Sequence, residues 1–188
     1  MQNLIEKLKK LLGLSKRTAG FTLIELLVVI GILGVLAAAL VATIDPFEQL
    51  KKATDANVKN TAVEFVDANI RYYTTHNTMP WFNDANCAAQ TGTNFSSTPV
   101  ALSAMTGTTG CLADLVADGE LKPGFTTVTN ILGAIFVSGS GNNIIACFNP
   151  QSKAQNHDAN TKYTNAGAAQ AGCPVTSGVS ATCFWCAQ

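Results

Sequence analysis

One carboxylate, Glu25, lies near the start of a long apolar stretch. Residues 21–44 form a run of 24 residues in which Glu25 is the only charged side chain. An unpaired charge inside hydrocarbon costs about 3 kcal/mol or more, so charged residues are rare in membrane segments and usually mark a functional site. The partner of Glu25 is therefore the first question that the sequence poses.

Six cysteines form the second reactive group, and all of them follow the apolar stretch: Cys87, Cys111, Cys147, Cys173, Cys183 and Cys186. An even number of cysteines on one side of a membrane segment predicts disulfides in an oxidising compartment. Six cysteines permit many pairings, and the sequence alone does not choose among them. A bridge between Cys87 and Cys111 is one expectation. We also expect the two C-terminal cysteines to reach Cys147 and Cys173.

Cys183 and Cys186 have the C-x-x-C spacing of a thiol redox pair. Such a pair is activated when its first cysteine opens a helix. The segment here is predicted to be extended with no helix after it, and alternating strand residues point to opposite faces. This pattern favours two separate structural bridges over a redox centre.

Further catalytic chemistry finds little support. The two histidines, His76 and His157, lie in different predicted loops, and no cysteine spacing fits a zinc site. The sequence has no phosphate-binding loop and no nucleophile elbow. We expect no enzyme, no catalytic residue, no metal and no cofactor.

The apolar stretch predicts a single membrane span. As a helix, 24 residues extend about 36 Å, which exceeds a hydrocarbon core of about 30 Å. Residues 1–20 have five basic residues against one acidic residue, a sum of +4, which leaves −4 for the rest of the neutral chain. The basic end is expected in the cytoplasm and the remainder outside. A −4 ectodomain also disfavours direct nucleic-acid binding by one subunit.

The small residues expected at a cleavage site precede the apolar run instead of following it, unlike those of a secretory signal. Cleavage after Gly20 would remove residues 1–20 as a basic leader and keep the hydrophobic helix. Phe21 would then have a free amine four residues before Glu25. An ammonium and a carboxylate attract strongly at low dielectric, where neither is tolerated alone.

Residues 20–30, "GFTLIELLVVI", resemble the N-terminal signature of type IV pilins and of the pseudopilins of type II secretion. The resemblance implies cleavage between Gly20 and Phe21 by a prepilin peptidase and N-methylation of Phe21. It also implies assembly through pairing of Glu25 with the N-terminal amine of a neighbouring subunit. A homo-oligomeric helical filament, an assembly platform and a separate ATPase would follow, with the precursor in the cytoplasmic membrane and the filament outside the cell.

The chain beyond the span is predicted to begin with a second helix. Asp45 and Pro46 mark a kink or restart, with Glu48 placed to complete a capping box. The helix should run over residues 45–74. Its predicted apolar face contains Phe47, Leu50, Val58, Ala62, Phe65, Val66, Ile70 and Tyr73, and its predicted solvated face contains Lys51, Lys52, Asp55, Lys59 and Asp67.

A globular head is predicted over residues 75–188. Residues 75–99 are predicted to form a long surface loop. Cys111–Asp118 is predicted to be a short helix stopped by Gly119, and residues 139–142 are predicted to form a four-residue hairpin turn. A last strand lies within residues 181–188, which makes three strands. The fold class is α+β, with a long N-terminal helix on a small antiparallel sheet stabilised by disulfides.

The resemblance implies a type IV pilin with a role in adhesion, twitching motility or DNA uptake. A type II secretion pseudopilin is the closest alternative, and the long predicted loop with three potential disulfides favours the pilin. An alternative of a different class is a membrane-anchored thiol oxidoreductase or ligand-binding ectodomain that never polymerises. A plain signal anchor with one stray glutamate is the simplest contrary interpretation of the span.

Overall fold

The computed structural model describes residues 20–83, 99–106 and 111–188. The leader residues 1–19 and Cys87 lie outside the described residues. The first element is helix α1, Leu23–Thr43, and none of its residues is buried. It is the one helix in the described ranges that is long and apolar enough to cross a membrane. At 21 residues it extends about 32 Å, close to the thickness of a hydrocarbon core.

Helix α2, Pro46–His76, follows after an interruption at Ile44 and Asp45. Ile44 has extended backbone angles, φ −105° and ψ 119°. Proline fits the first position of a helix because its missing N–H has no partner there in any case. The chain divides into two compact units between Asp45 and Pro46, and the second unit holds α2 and the head.

In the described part of the head, four further short helices and four strands are present. The helices are α3 (Pro80–Asn83), α4 (Cys111–Ala117), α5 (Thr129–Gly133) and α6 (Lys153–Asn156), and single 3₁₀ turns cover Leu102–Met105 and Pro123–Thr127. The strands are β1 (Val100–Ala101), β2 (Ile135–Ser140), β3 (Asn143–Phe148) and β4 (Trp185–Ala187). The α+β fold with a long N-terminal helix and an antiparallel sheet is confirmed.

The strands form one antiparallel sheet in the order β1-β2-β3-β4. The prediction of three strands was wrong because β1 is only two residues long and has no detectable period. The hairpin is present, but its turn contains two residues, since Ser140 pairs directly with Asn143. Gly141 has a φ of +59°, which a two-residue hairpin turn requires and glycine adopts without strain.

The core lies between α2 and the sheet. Val58, Ala62, Phe65 and Val66 are buried as predicted. The prediction was wrong for Phe47, Leu50 and Ile70, which are exposed. Asn69 and Tyr72 contribute to the buried face instead, and Asn69 satisfies its amide by donating to the Phe65 carbonyl.

The predicted surface loop at residues 75–99 is partly a core element. Helix α2 continues to His76, and α3 follows at Pro80. Met79 and Trp81 are buried in the hydrophobic core. Residues 84–98 lie outside the described ranges. The short helix before Gly119 is confirmed, ending at Ala117, with Gly119 at a φ of +77°.

Asp55 was predicted on the solvated face of α2, and this was wrong. Its side chain is only 4% exposed. Both carboxylate oxygens accept from the Gln151 amide, at 2.9 and 3.2 Å. Oδ2 also accepts from the Ser152 amide at 2.8 Å and from the Ser152 hydroxyl at 2.6 Å. Three donors compensate for the burial of a carboxylate that an apolar site would not tolerate.

Glu48, which precedes Asp55 on the same helix, makes a related contact. Its Oε1 accepts a hydrogen bond of 2.5 Å from the Lys153 amide. Asp55 and Glu48 together therefore cover three successive backbone amides where α6 begins. Negative groups are favourable at a helix start because the first amides have no partner within the helix. Two carboxylates of α2 thus attach the C-terminal third of the chain to the long helix.

Replacing Asp55 by alanine should leave two buried donors, the amide and hydroxyl of Ser152, and the part-buried Gln151 amide without an acceptor. We expect the free energy of unfolding of the head to fall by about 3 kcal/mol, since each unsatisfied buried group costs about 1–3 kcal/mol. Thermal denaturation of the detergent-solubilised chain, followed by circular dichroism, measures this loss. Asp67→Ala, at an exposed position of the same helix, is the matched control. Equal melting temperatures for the two variants would contradict the proposed attachment.

Candidate functional site

The start of α1 is closed by a reciprocal pair of hydrogen bonds between Thr22 and Glu25. The Thr22 Oγ1 accepts from the Glu25 amide at 3.3 Å. The Glu25 Oε2 accepts from the Thr22 amide at 2.9 Å and from the Thr22 hydroxyl at 2.7 Å. This is a capping box, in which the N-cap and the third helical residue satisfy each other's backbone amides.

The capping box gives Glu25 a partner within its own chain. Its carboxylate lies at the positive end of the helix, where negative charge is favourable. Two donors from Thr22 replace part of the hydration that the carboxylate loses in lipid. A chain with this arrangement can hold Glu25 in a membrane before any other subunit arrives.

Cleavage after Gly20 would leave the capping box intact. The amide of Thr22 belongs to the peptide bond with Phe21, so it survives removal of residues 1–20. Gly20 is exposed and Phe21 is 80% exposed, so neither is packed against the described part of the chain. N-methylation of an amine keeps its positive charge. The new terminus would thus remain a cation within a few residues of the carboxylate.

The cysteines form separate bridges, as the strand pattern predicted. Cys147 is bonded to Cys186, and Cys173 is bonded to Cys183. Cys147 and Cys186 are direct neighbours across β3 and β4. Cys111 is also disulfide-bonded, whereas its predicted partner Cys87 lies outside the described residues. Cys183 and Cys186 are therefore not bonded to each other.

Neither His76 nor His157 forms a metal site with the cysteines that the structure describes. His76 ends α2, where its ring stacks on Tyr72 with 4.0 Å between ring centroids. Its Nε2 lies 3.9 Å from the Asp118 carboxylate. Across residues 20–83, 99–106 and 111–188, no group of three or more His, Cys, Asp or Glu side chains is placed to hold a metal ion.

Comparison with known proteins identifies a family motif at this end of the chain. Residues 15–41 match the prokaryotic N-terminal methylation motif. This motif is characteristic of type IV pilins and pseudopilins, and it supports that class of protein. It implies processing by prepilin peptidase and assembly into a filament in general. Together with α1, it fits a membrane-anchored precursor. No curated protein and no solved structure matches the chain.

The sequence analysis missed two features, a capping residue of α1 and a long-range contact of α2. Thr22 was not singled out, although Thr-x-x-Glu before an apolar run is the sequence pattern of a capping box. The contact between Asp55 and Ser152 joins residues 97 positions apart, and a helical wheel of α2 contains no signal for it.

A cysteine substitution can distinguish the two separate bridges from a redox pair formed by Cys183 and Cys186. In the observed arrangement, Cys183→Ser should release Cys173 and leave Cys186 bonded to Cys147. Alkylation of the unreduced variant followed by peptide mass spectrometry should label Cys173. In a C-x-x-C redox centre the same variant would release Cys186. Labelling of Cys186 would therefore support the oxidoreductase alternative and contradict the separate bridges.

Proposed function

We propose that the chain is a structural, non-catalytic subunit of a type IV pilus. The observation that carries the proposal is an apolar helix with no buried residue and a single carboxylate held by Thr22, lying within the N-terminal methylation motif matched at residues 15–41. An exposed helix of this kind is covered by lipid in the precursor and by copies of itself in a filament. Phe21 and Glu25 are the proposed assembly residues.

The proposed sequence of events begins with a precursor held by α1 in the cytoplasmic membrane. Prepilin peptidase cleaves between Gly20 and Phe21, and the Phe21 amine is methylated. The subunit then leaves the lipid and joins a filament on the cell surface. An assembly platform and a separate ATPase would supply the work, since the described residues suggest no nucleotide site.

Pairing between subunits requires the Glu25 carboxylate to contact the N-terminal amine of a neighbouring subunit. In a single chain its Oε2 accepts from the backbone amide and hydroxyl of Thr22. A carboxylate has about four acceptor sites, so an ammonium from a neighbour can be added without breaking the capping box. The charge pair forms away from water, where the attraction is strong, and it neutralises both groups. The capping box would thus orient the carboxylate before the amine arrives.

The head favours a durable external filament over a pseudopilus as the assembly that this chain forms. It is stabilised by disulfides that suit an oxidising exterior. Candidate roles are adhesion, twitching motility and DNA uptake, the last through other components, because the chain beyond the leader has a net charge of −4. A pseudopilin of a type II secretion system is the second candidate, supported by the same motif.

Replacing Glu25 by alanine tests the assembly role. Membrane insertion should persist, because removing the charge makes α1 more apolar. Filament yield in the sheared fraction should fall at least about tenfold, which corresponds to a loss of about 1.4 kcal/mol per subunit contact. Immunoblots of sheared and membrane fractions measure both quantities.

Thr22→Ala is the matched comparison for this variant. It removes the hydroxyl partner and one side of the capping box but keeps the Glu25 carboxylate available for a neighbour. We expect it to retain more filament than Glu25→Ala does. If Glu25→Ala forms filaments at the wild-type level, the pairing role is wrong. If both variants fail equally, capping rather than pairing would be the function of Glu25.

A further inference from the structure

The exposed side of α2 contains both apolar and charged residues. They recur at steps of three and four residues, so they form one stripe along the helix. We refer to this stripe as the outer ridge, which consists of Lys52, Ala56, Lys59, Val63, Asp67 and Ile70. Val63 is 36% exposed and Ile70 is 46% exposed. Removing these two apolar side chains from water would be favourable, so the ridge gains stability by contact with another surface.

The charges on this side of α2 are separated along the helix. Lys52 and Lys59 come first, and we call them the basic pair. Glu64, which is exposed beside the ridge, and Asp67 come later, and we call them the acidic pair. The centres of the two pairs are about ten residues apart, which is about 15 Å along the axis. The exposed side of the helix is therefore basic in its first part and acidic in its second part.

No contact between a carboxylate and a cation involves either pair within the described part of the chain. Asp55 is four residues before Lys59, the usual spacing of an ion pair within a helix, but its carboxylate is buried against the start of α6. Arg71 is four residues after Asp67, but its Nε donates to the Glu120 carboxylate at 2.9 Å. The head thus takes up both counter-charges, and the basic and acidic pairs keep their net charges.

We infer that the basic pair of one subunit contacts the acidic pair of a second copy of this chain, with the two α2 helices parallel and staggered by about 15 Å. The inference rests on the proposed function, because it names a contact within the filament. At this stagger Lys52 lies beside Glu64 of the second copy, and Lys59 lies beside Asp67. The remaining axial offset is about 3 Å in each case, which a flexible lysine side chain spans.

Charge complementarity selects a second copy as the occupant of the outer ridge. A copy in register would place lysine against lysine and carboxylate against carboxylate, which is unfavourable. The stagger converts the same charges into two attractive pairs. Each copy then uses its basic pair with one neighbour and its acidic pair with the next. Head-to-tail contacts of this kind can extend into a helical filament, whereas a contact between identical patches closes a dimer.

Reversing one charged pair tests the inference on the full chain. Lys52→Glu and Glu64→Lys should each lower the filament yield at least about fivefold, because each places like charges against each other. The double variant restores an attractive pair with exchanged signs, so its yield should return to at least about half of the wild-type level. Immunoblots of the sheared fraction measure the yields. Lys59 is left unchanged, because its ammonium lies 4.6 Å from the centroid of the Trp185 ring and contributes to the head.

Lys162→Glu combined with Glu64→Lys is the matched control. Lys162 is exposed and lies outside α2, so this variant has the same net charge as the double variant without the restored pair. Its yield should stay as low as that of Glu64→Lys alone. Thermal denaturation followed by circular dichroism shows whether each variant folds. Where a reversal lowers the melting temperature, Lys52→Gln and Glu64→Gln replace it, and combining them should lower the yield no further than either one does.

The inference is overturned if a folded single reversal forms filaments at the wild-type level, or if the double variant recovers no more than the control. It is also overturned if the losses of the two glutamine variants simply add. Wild-type filaments alongside any of these results leave the proposed function in place and remove only this contact. A wild-type chain that forms no filament contradicts the proposed function and the inference together.

Discussion

The 21-residue helix α1 has no covered side within the described chain, and this constraint shapes the rest of the molecule. An apolar surface of that size is not stable in water, so lipid or other subunits have to cover it. Any charged group on it then needs its own partner. Thr22 and Glu25 meet that need locally through a capping box, which holds the carboxylate at the start of the helix.

Because α1 has to be covered by lipid or by other subunits, the head depends on its own contacts for stability. Its core packs on α2, and polar contacts add to this packing. Asp55 and Glu48 attach the start of α6, and Asn149 donates to the carbonyls of Ser180 and Cys183. The Cys147–Cys186 and Cys173–Cys183 bridges fix the same C-terminal segment. This combination would suit the exported subunit that we propose.

The sequence predicted features that depend on neighbouring residues. A continuous apolar run and the helical period around Phe65 are local patterns, and each led to the correct element. Cleavage at the Gly20-Phe21 junction stays a prediction. Features that depend on long-range contacts were missed. The burial of Asp55 depends on Ser152, and Trp81 is in the core although its surroundings are polar. Phe47 and Leu50 were assigned to the head because periodicity alone does not say where the head ends along α2.

The central claim is that α1 passes from a membrane-anchored precursor to a processed filament subunit. Mass spectrometry of the N-terminal peptide, from filaments sheared off intact cells, tests it most directly. The account predicts a chain that begins at Phe21 and carries one methyl group on its amine. An intact Met1, found only in the membrane fraction, would contradict it and would leave Glu25 as the capped residue of a permanent anchor.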